Sequence, residues 1–230
     1  MKLYIANKNY SSWSLRPWVL LRMLELSFEE VLVPFEGSGP QPAFHSFSPT
    51  GKVPCLVLDG MTVWDSLAIA ETVAERAPAA WPADAGARAW ARSASAEMHS
   101  GFEQVRRSCG MSCGQRVRLS DPSEALTREW QRMDALWCDG LSRFGGPFLA
   151  GERFTVVDAF YAPVAFRVQT YDPLLSDEAR AYVTRLLALE PMRDWYEAAL
   201  AEDFRDEDHE REVASSGEVL EDFRVPARQA

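Results

Sequence analysis

The sequence predicts a small α/β domain followed by an all-helical domain. Three observations support this: short alternating segments fill the first eighty residues, a breaker-rich linker follows, and only long helical patterns come after it. The chain has 230 residues, of which 47% are hydrophobic, so it can bury a substantial core. We place the domains at residues 1–78 and 86–230, and the second ends in an acidic tail.

The first domain is predicted to have the element order β-α-β followed by β-β-α. The segment KLYIA alternates like a strand, and SLRPWVLLRMLEL has apolar residues at helical spacing. We expect Ser14 to cap that helix and Pro17 to lie in its first turn. FEEVLVPF predicts a second strand. VPCLVLDGMTVWDS predicts a hairpin around the Asp59-Gly60 turn, and SLAIAETVAERA predicts the closing helix.

The second domain begins after a linker, Ala77–Gly86, that contains Pro78 and Pro82. ARAWARSASAEMHSGFEQVRR predicts one long helix, and four further helical patterns follow it. Thr155 and Asp158 have the S/T-x-x-D spacing of a capping box, so we expect them to start a core helix and to be structural.

Composition excludes several classes of function. A net charge of −10 disfavours binding to nucleic acid, whose affinity comes largely from neutralised phosphates. No apolar run approaches the roughly 20 residues that span a membrane, and no secretory signal is evident, so we expect a soluble cytosolic protein. The four cysteines are expected to be free thiols, and their spacing matches no metal site.

Three short motifs occur one after another along the first domain. The first is the serine pair of NYSSWSLRPW, directly before a helix. The second is the loop Pro49–Pro54, which ends in Val-Pro before a strand. The third is WDSLAI, where Asp65 and Ser66 open a helix.

Together these motifs resemble the glutathione-binding, thioredoxin-like domain of the glutathione transferases, a family that also appends a helical domain. SSWSLR is most similar to the motif of the zeta class, which includes maleylacetoacetate isomerases. The resemblance covers nearly the whole chain and implies glutathione as co-substrate, a small electrophile as second substrate, and a homodimer.

The resemblance assigns the serine pair to the sulfur of glutathione. A hydroxyl that donates a hydrogen bond to sulfur favours the reactive thiolate, and a helix N-terminus adds a favourable field. Ser11 is the first candidate, Ser12 is the close alternative, and Tyr10 is the third. The simpler interpretation is that the serines only cap the helix.

The other two motifs would hold the remaining parts of the peptide. The resemblance implies a cis bond between Val53 and Pro54 and backbone pairing of Val53 with the cysteinyl part. Lys52 would meet the glycyl carboxylate, or it is an ordinary loop lysine. Ser66 would take the α-carboxylate and Asp65 the α-ammonium of the γ-glutamyl end, while both also suit a helix start.

The resemblance implies a second-substrate pocket between the two domains, lined by the first helices of the second, with Trp13 at the mouth of the site. Met98, Phe102 and Arg106 are predicted to share one helical face, with an apolar wall and a cation that suit an anionic electrophile. The alternative is that the apolar pair is core and the arginine is solvated. His45, His99 and His209 are expected to be surface or locally bonded residues without an acidic partner at a telling spacing.

Two departures from the zeta pattern concern the same pocket. Trp13 stands where that class has cysteine, and Arg167 lies about a turn from the position expected for its helical arginine. Cys55 follows Pro54, and we interpret it as a small buried side chain rather than a redox-sensitive thiol.

The predicted activity is conjugation of glutathione to a small electrophile. Glutathione-dependent cis-trans isomerisation is the second hypothesis, because it uses the same thiolate. A non-catalytic binding protein with this fold is a third. A thioredoxin-like disulfide reductase would need a cysteine where the chain has Ser11 and Ser12.

Overall fold

A computed structural model describes residues 1–37 and 39–226. Its first part contains β1 (Lys2–Ile5), α1 (Ser12–Met23), β2 (Glu29–Leu32), β3 (Cys55–Leu58), β4 (Met61–Val63) and α2 (Ser66–Arg76). Its second part contains α3 (Ala85–Ser100), α4 (Glu103–Ser108), β5 (Gln115–Leu119), α5 (Glu124–Phe144), α6 (Val156–Tyr171), α7 (Asp177–Leu187), α8 (Glu190–Ala201), α9 (Glu207–Ser216) and β6 (Gly217–Asp222).

The first four strands form one mixed sheet in the order β2-β1-β3-β4. β1 pairs in parallel with β2 and antiparallel with β3, and β3 and β4 form the predicted hairpin. Asp59 and Gly60 have φ angles of 50° and 81°, the left-handed conformation that a two-residue hairpin turn requires. The predicted βαβ-ββα order is therefore confirmed.

The first helix begins earlier than predicted. Ser11 occupies the N-cap position and Ser14 lies inside α1, so the expected Ser14 cap is wrong. Pro17 consequently lies beyond the first turn. The Ser14 hydroxyl accepts the Ala6 N–H at 3.2 Å and so ties the helix to the end of β1.

The long helix expected over residues 87–107 is broken into α3 and α4. Phe102, at the break, has φ 55°, and Gly101 passes so close to the preceding turn that a Cβ there would lie 2.8 Å from the Glu97 carbonyl oxygen. Met98, Phe102 and Arg106 therefore do not share the face of one helix, which corrects that prediction.

The core of the second part is built around α6. Nearly every side chain of this helix is buried, and it packs against both α1 and α3. The predicted capping box starts it: the Asp158 carboxylate accepts the Thr155 N–H at 2.9 Å and the Leu149 N–H at 3.0 Å. Because α1 also carries the serine pair, packing on α6 fixes where that pair sits.

The helical part also contains a two-stranded antiparallel ribbon that sequence analysis missed. β5 pairs with β6, which comes from the acidic tail, so the tail folds back across the molecule. Residues 227–230 of the tail lie outside the described residues. We call residues Glu202–Arg224 the C-terminal extension.

Cys55, Cys109, Cys113 and Cys138 are free thiols, as predicted, and Cys55 is fully buried. Within the described part of the chain, no helix is long and apolar enough to cross a membrane.

Candidate active site

A cavity of about 320 Å³ lies where the β1–α1 turn meets the helical part. Its walls include predicted site residues from both parts of the chain: Ser11, Ser12, Trp13, Lys52, Val53 and Arg106. Additional walls come from the loop after β2, from α6 and from α9. Polar groups from several elements converge on one open cleft here, which is suited to a small-molecule ligand.

A larger cavity of about 760 Å³ lies elsewhere, beside α2 and the start of α3. It contains none of the predicted site residues, and its charged side chains include the facing pair Glu71 and Arg92, 3.6 Å apart. We assign the site to the smaller cavity because the reactive groups meet there.

The serine pair differs in its hydrogen bonding. The Ser11 hydroxyl does not cap α1; it lies 2.7 Å from the Ser14 hydroxyl, which also accepts the Ala6 N–H. The Ser12 hydroxyl forms no hydrogen bond with any residue in the described ranges. Both serines are at least nine-tenths buried and both line the cavity at the N-terminus of α1.

Tyr10 has its hydroxyl engaged elsewhere. It donates to the Glu210 carboxylate at 2.6 Å, and burial together with that carboxylate raises the tyrosine pKa. The ring lines the cavity, but the oxygen serves a contact to the C-terminal extension.

The second motif reaches the cavity through Lys52 and Val53. The Val53–Pro54 peptide bond is cis, as the resemblance implies. Gln41, from the loop after β2, lines the same wall. Pro54 itself is buried behind the wall, ahead of β3.

The third motif lies at the start of α2, outside the walls of the 320 Å³ cavity. The Asp65 carboxylate caps α2 by accepting the Leu67 N–H at 2.9 Å, and its other oxygen lies 3.3 Å from His99 Nε2. Ser66 is fully buried and its hydroxyl has no partner among the described residues. An unpartnered buried hydroxyl beside the free N–H groups of a helix start is suited to a carboxylate ligand.

His99 has an acidic partner, Asp65, that is too distant in sequence for local spacing to reveal. Burial lowers the pKa of His99, with Asp65 opposing and Arg16 and Arg106 adding to the shift. His209 likewise has Asp206 three residues before it, with 2.7 Å between its Nδ1 and the carboxylate. The i−3 spacing on a helix was the sequence signal for that pair.

The predicted second-substrate residues separate into core and wall. Met98 and Phe102 are buried core and are not among the cavity-lining residues, whereas Trp13 and Arg106 line it. Arg106 is fixed by donating to the backbone carbonyls of Met98 and Gly101 at the α3–α4 break.

Three arginines concentrate positive charge behind and along this wall. Arg16 and Arg106 lie 4.1 and 4.8 Å from the centre of the Trp13 ring. Arg167 is buried, lines the cavity and donates to the Cys109 carbonyl at 2.8 Å. Burial lowers the pKa of all three, and repulsion from Arg106 adds to the shift for the other two, bringing Arg167 to about 10. Within residues 1–37 and 39–226, none of the three has a carboxylate ion-pair partner.

The wall that sequence analysis missed comes from the C-terminal extension. His209 and Glu212 of α9 line the cavity, and the His209 ring stacks on Tyr10 with 4.9 Å between ring centres. The acidic composition of the tail gave no sign of this, because the contacts join residues about 200 positions apart.

The fold is thus a thioredoxin-like sheet domain joined to a helical domain, with a polar cavity at their junction. Family models agree: the glutathione S-transferase N-terminal domain matches residues 10–76, and the glutathione S-transferase C-terminal domain matches residues 88–198. The chain belongs to the glutathione S-transferase family.

Individual relatives are distant. A maleylacetoacetate isomerase of Rattus norvegicus is 26% identical over 180 residues, which cover 76% of this chain and 81% of the relative. A glutathione transferase homolog from Burkholderia, crystallised with bound glutathione, superposes with a TM-score of 0.64 at 23% identity, covering 86% of this chain and 97% of that one. A diazinon-metabolizing glutathione S-transferase of the silkworm Bombyx mori gives a TM-score of 0.68 at 16% identity, covering 86% and 96%.

Proposed function

We propose that this protein conjugates glutathione, bound as its thiolate, to a small electrophilic substrate, and that Ser11 stabilises the thiolate. The observation that carries the proposal is the Ser11 hydroxyl in the cavity wall, at a helix N-terminus and not used as a cap. The Burkholderia homolog with bound glutathione supports glutathione as the co-substrate.

The position of Ser11 at the N-cap of α1, in the cavity wall, supports it as the thiolate-stabilising hydroxyl. The Ser11 hydroxyl donates to the Ser14 hydroxyl at 2.7 Å, and Ser14 also accepts the Ala6 N–H, so in this proposal Ser11 redirects its proton from Ser14 to the sulfur when glutathione binds. Tyr10 is disfavoured because its hydroxyl already donates to Glu210. Ser12 remains the close alternative, since its hydroxyl is free.

The other parts of glutathione are assigned to the second and third motifs of the first domain. In this proposal Lys52 meets the glycyl carboxylate, the Val53 backbone pairs with the cysteinyl part, and Pro54 sets the direction of that segment. Asp65 receives the α-ammonium and Ser66 the α-carboxylate. The unpartnered Ser66 hydroxyl supports this last assignment.

We propose that the electrophile is anionic and lies against Trp13 and Arg106. Arg16 and Arg167 are buried and, like the half-buried Arg106, have no carboxylate ion-pair partner in the described residues, and a cluster of such cations favours an anionic ligand. Met98 and Phe102 support this wall from the core. The same charge, together with the rat isomerase relative, favours cis-trans isomerisation of an acidic alkene as the second candidate activity.

The decisive experiment replaces each serine separately and follows the thiolate absorbance of bound glutathione against pH. Ser11→Ala should raise the pKa of the bound thiol by about 1–2, because a hydrogen bond to a charged group is worth about 1.5–3 kcal/mol. Ser12→Ala is the matched control and should change that pKa by less than about 0.5.

Two outcomes would contradict the proposal. An unchanged thiol pKa in Ser11→Ala would transfer the role to Ser12 or Tyr10. No glutathione binding at millimolar concentration would exclude the enzyme altogether. Turnover of a chloro-nitrobenzene and of maleylacetoacetate, compared side by side, separates conjugation from isomerisation.

We also propose a cytosolic homodimer, which is supported by the family alone. Sedimentation of the purified chain at twice 25.8 kDa tests the assembly.

A further inference from the structure

The C-terminal extension is bound to the active-site turn at several points. The Glu202 carboxylate accepts the Lys8 N–H at 2.6 Å and the Asn9 N–H at 3.2 Å. Arg224 joins Glu210 to the Tyr10 hydroxyl, with distances of 2.5 and 3.3 Å. The extension lies beyond residues 88–198, the range of the family match, so it is a feature of this chain that the match does not explain.

These contacts fix His209 in the cavity wall. Its ring lies 4.9 Å from the Tyr10 ring and 5.0 Å from the Phe35 ring, measured between centres. Nδ1 lies 2.7 Å from Asp206, whose other oxygen accepts the Gly37 N–H at 2.8 Å. A histidine oriented by a buried carboxylate, and lining the cavity that holds Ser11, is the arrangement of a general base.

The tautomer of His209 follows from the ionisation of Asp206. Burial alone would raise the pKa of Asp206, but hydrogen bonds from His209 and Gly37 outweigh it, and the net direction is down. Asp206 is therefore ionised at neutral pH and accepts a hydrogen bond from the Nδ1–H group of His209. With Nδ1–H donating to Asp206, Nε2 is the ring nitrogen that can accept a proton.

We propose that His209 is a catalytic residue that takes the proton of the glutathione thiol. This rests on the proposed function, because it needs glutathione sulfur at Ser11. The S–H bond breaks, its electron pair stays on sulfur as the thiolate, and the proton forms a new bond to Nε2. The thiolate electron pair then forms the carbon–sulfur bond, the leaving group departs with the electron pair of its own bond to that carbon, and the imidazolium releases the proton to water.

The charged groups around His209 are consistent with this role. Asp206, the N-cap residue of α9, lies 2.7 Å from His209 Nδ1, and Glu212 of α9 lines the same cavity. Arg224 pairs with Glu210 and Asp222. Lys52, Arg106 and Arg167 also line the cavity, together with the Tyr10 ring.

The test counts protons. Purified protein in weak buffer at pH 7.5 is mixed with glutathione, while an indicator dye reports released protons and absorbance reports thiolate. The wild type should release clearly less than one proton per thiolate formed, and His209→Gln should release one. kcat/KM should fall roughly 10- to 100-fold, within or just below the range for a positioned base.

A second variant and a control guard against simple misfolding. Added imidazole should restore activity to His209→Ala, which no purely structural role would allow. Glu207→Gln changes one exposed charge on the same helix and should behave as the wild type.

Two results would overturn the proposal. The first is a His209→Gln variant that releases as few protons per thiolate as the wild type does. If that variant differs from the wild type only in a higher KM for glutathione, His209 is a binding contact. The second is an absence of thiolate in the wild type itself, which would overturn the proposed function as well.

Discussion

Arg16 is the residue in the least expected environment. It is 1% exposed and lies 4.1 Å from the Trp13 ring centre and 4.8 Å from that of Phe160. Its Nε and Nη1 atoms have no hydrogen-bond partner in the described part of the chain. Ring faces offset only part of the cost of burying a charge, so we infer that Arg16 is retained at the expense of stability.

Arg16→Met tests this inference. A methionine of similar length keeps the packing and removes the unpaired charge, so the free energy of unfolding should stay the same or rise by about 1–3 kcal/mol. Urea denaturation measures it. Arg106→Met is the comparison, because that arginine donates to two backbone carbonyls; it should lose about 1–2 kcal/mol. Equal losses in both variants would contradict the inference.

The serines show what residue types alone can predict. The pair was recognisable because a hydroxyl before a helix has few uses, which are capping or contact with a ligand. Which serine occupies the N-cap position could not be predicted, because Ser14 accepts the Ala6 N–H through tertiary geometry. His99 was missed for the same reason: its partner Asp65 lies in the other part of the chain.

At the scale of elements, the capping box of α6 was predictable and the α3–α4 break was not. The box depends on a local spacing, Thr155 to Asp158, that the sequence displays directly. The break depends on Phe102 adopting φ 55°, which no propensity favours for an aromatic residue. The ribbon of β5 and β6 was also missed, because each strand is short and its partner is distant in sequence.

Asp158→Ala should destabilise the protein strongly. Four buried donors lose their acceptor: the N–H groups of Leu149 and Thr155 and the hydroxyls of Thr155 and Tyr182. Each unsatisfied buried donor costs about 1–3 kcal/mol, so we expect a loss of at least about 3 kcal/mol in urea denaturation. Asp177→Ala, at the exposed start of α7, should lose under about 1 kcal/mol. Similar losses in the two variants would show that the box is not structural.

For the whole molecule, the order of elements and the two-part organisation followed from local patterns, because strand and helix periods differ. The contact of the C-terminal extension with the site did not follow from local patterns. It depends on contacts such as that between Tyr10 and Glu210, and an acidic tail alone resembles a solvated surface. The molecule therefore has a predictable frame and a cavity wall that only the structure reveals.

The extension is held by a cluster that we call the latch: Tyr10, Glu210, Asp222 and Arg224. The Arg224 side chain is 2% exposed and meets both carboxylates at 2.5 Å. Burial would raise the pKa of Glu210 and Asp222, but their hydrogen bonds with Arg224 outweigh it, and both pKa values are lowered. A lowered carboxylate pKa contributes stability above the unfolded pKa, and that contribution is lost as pH falls through the folded pKa.

The latch should therefore open on acidification. Glu210→Gln should speed amide hydrogen exchange in α9 at pH 7, by an amount equivalent to about 1–3 kcal/mol, because it leaves part of the buried Arg224 charge unpaired. As pH falls through the lowered pKa of Glu210 in the wild type, below the ordinary range of a glutamate, the two proteins should converge. Glu218→Gln, which removes an exposed pair with Arg118, is the control and should change exchange by under about 1 kcal/mol. A difference between wild type and Glu210→Gln that grows toward low pH would mean that some contact other than the latch holds the extension over the active site.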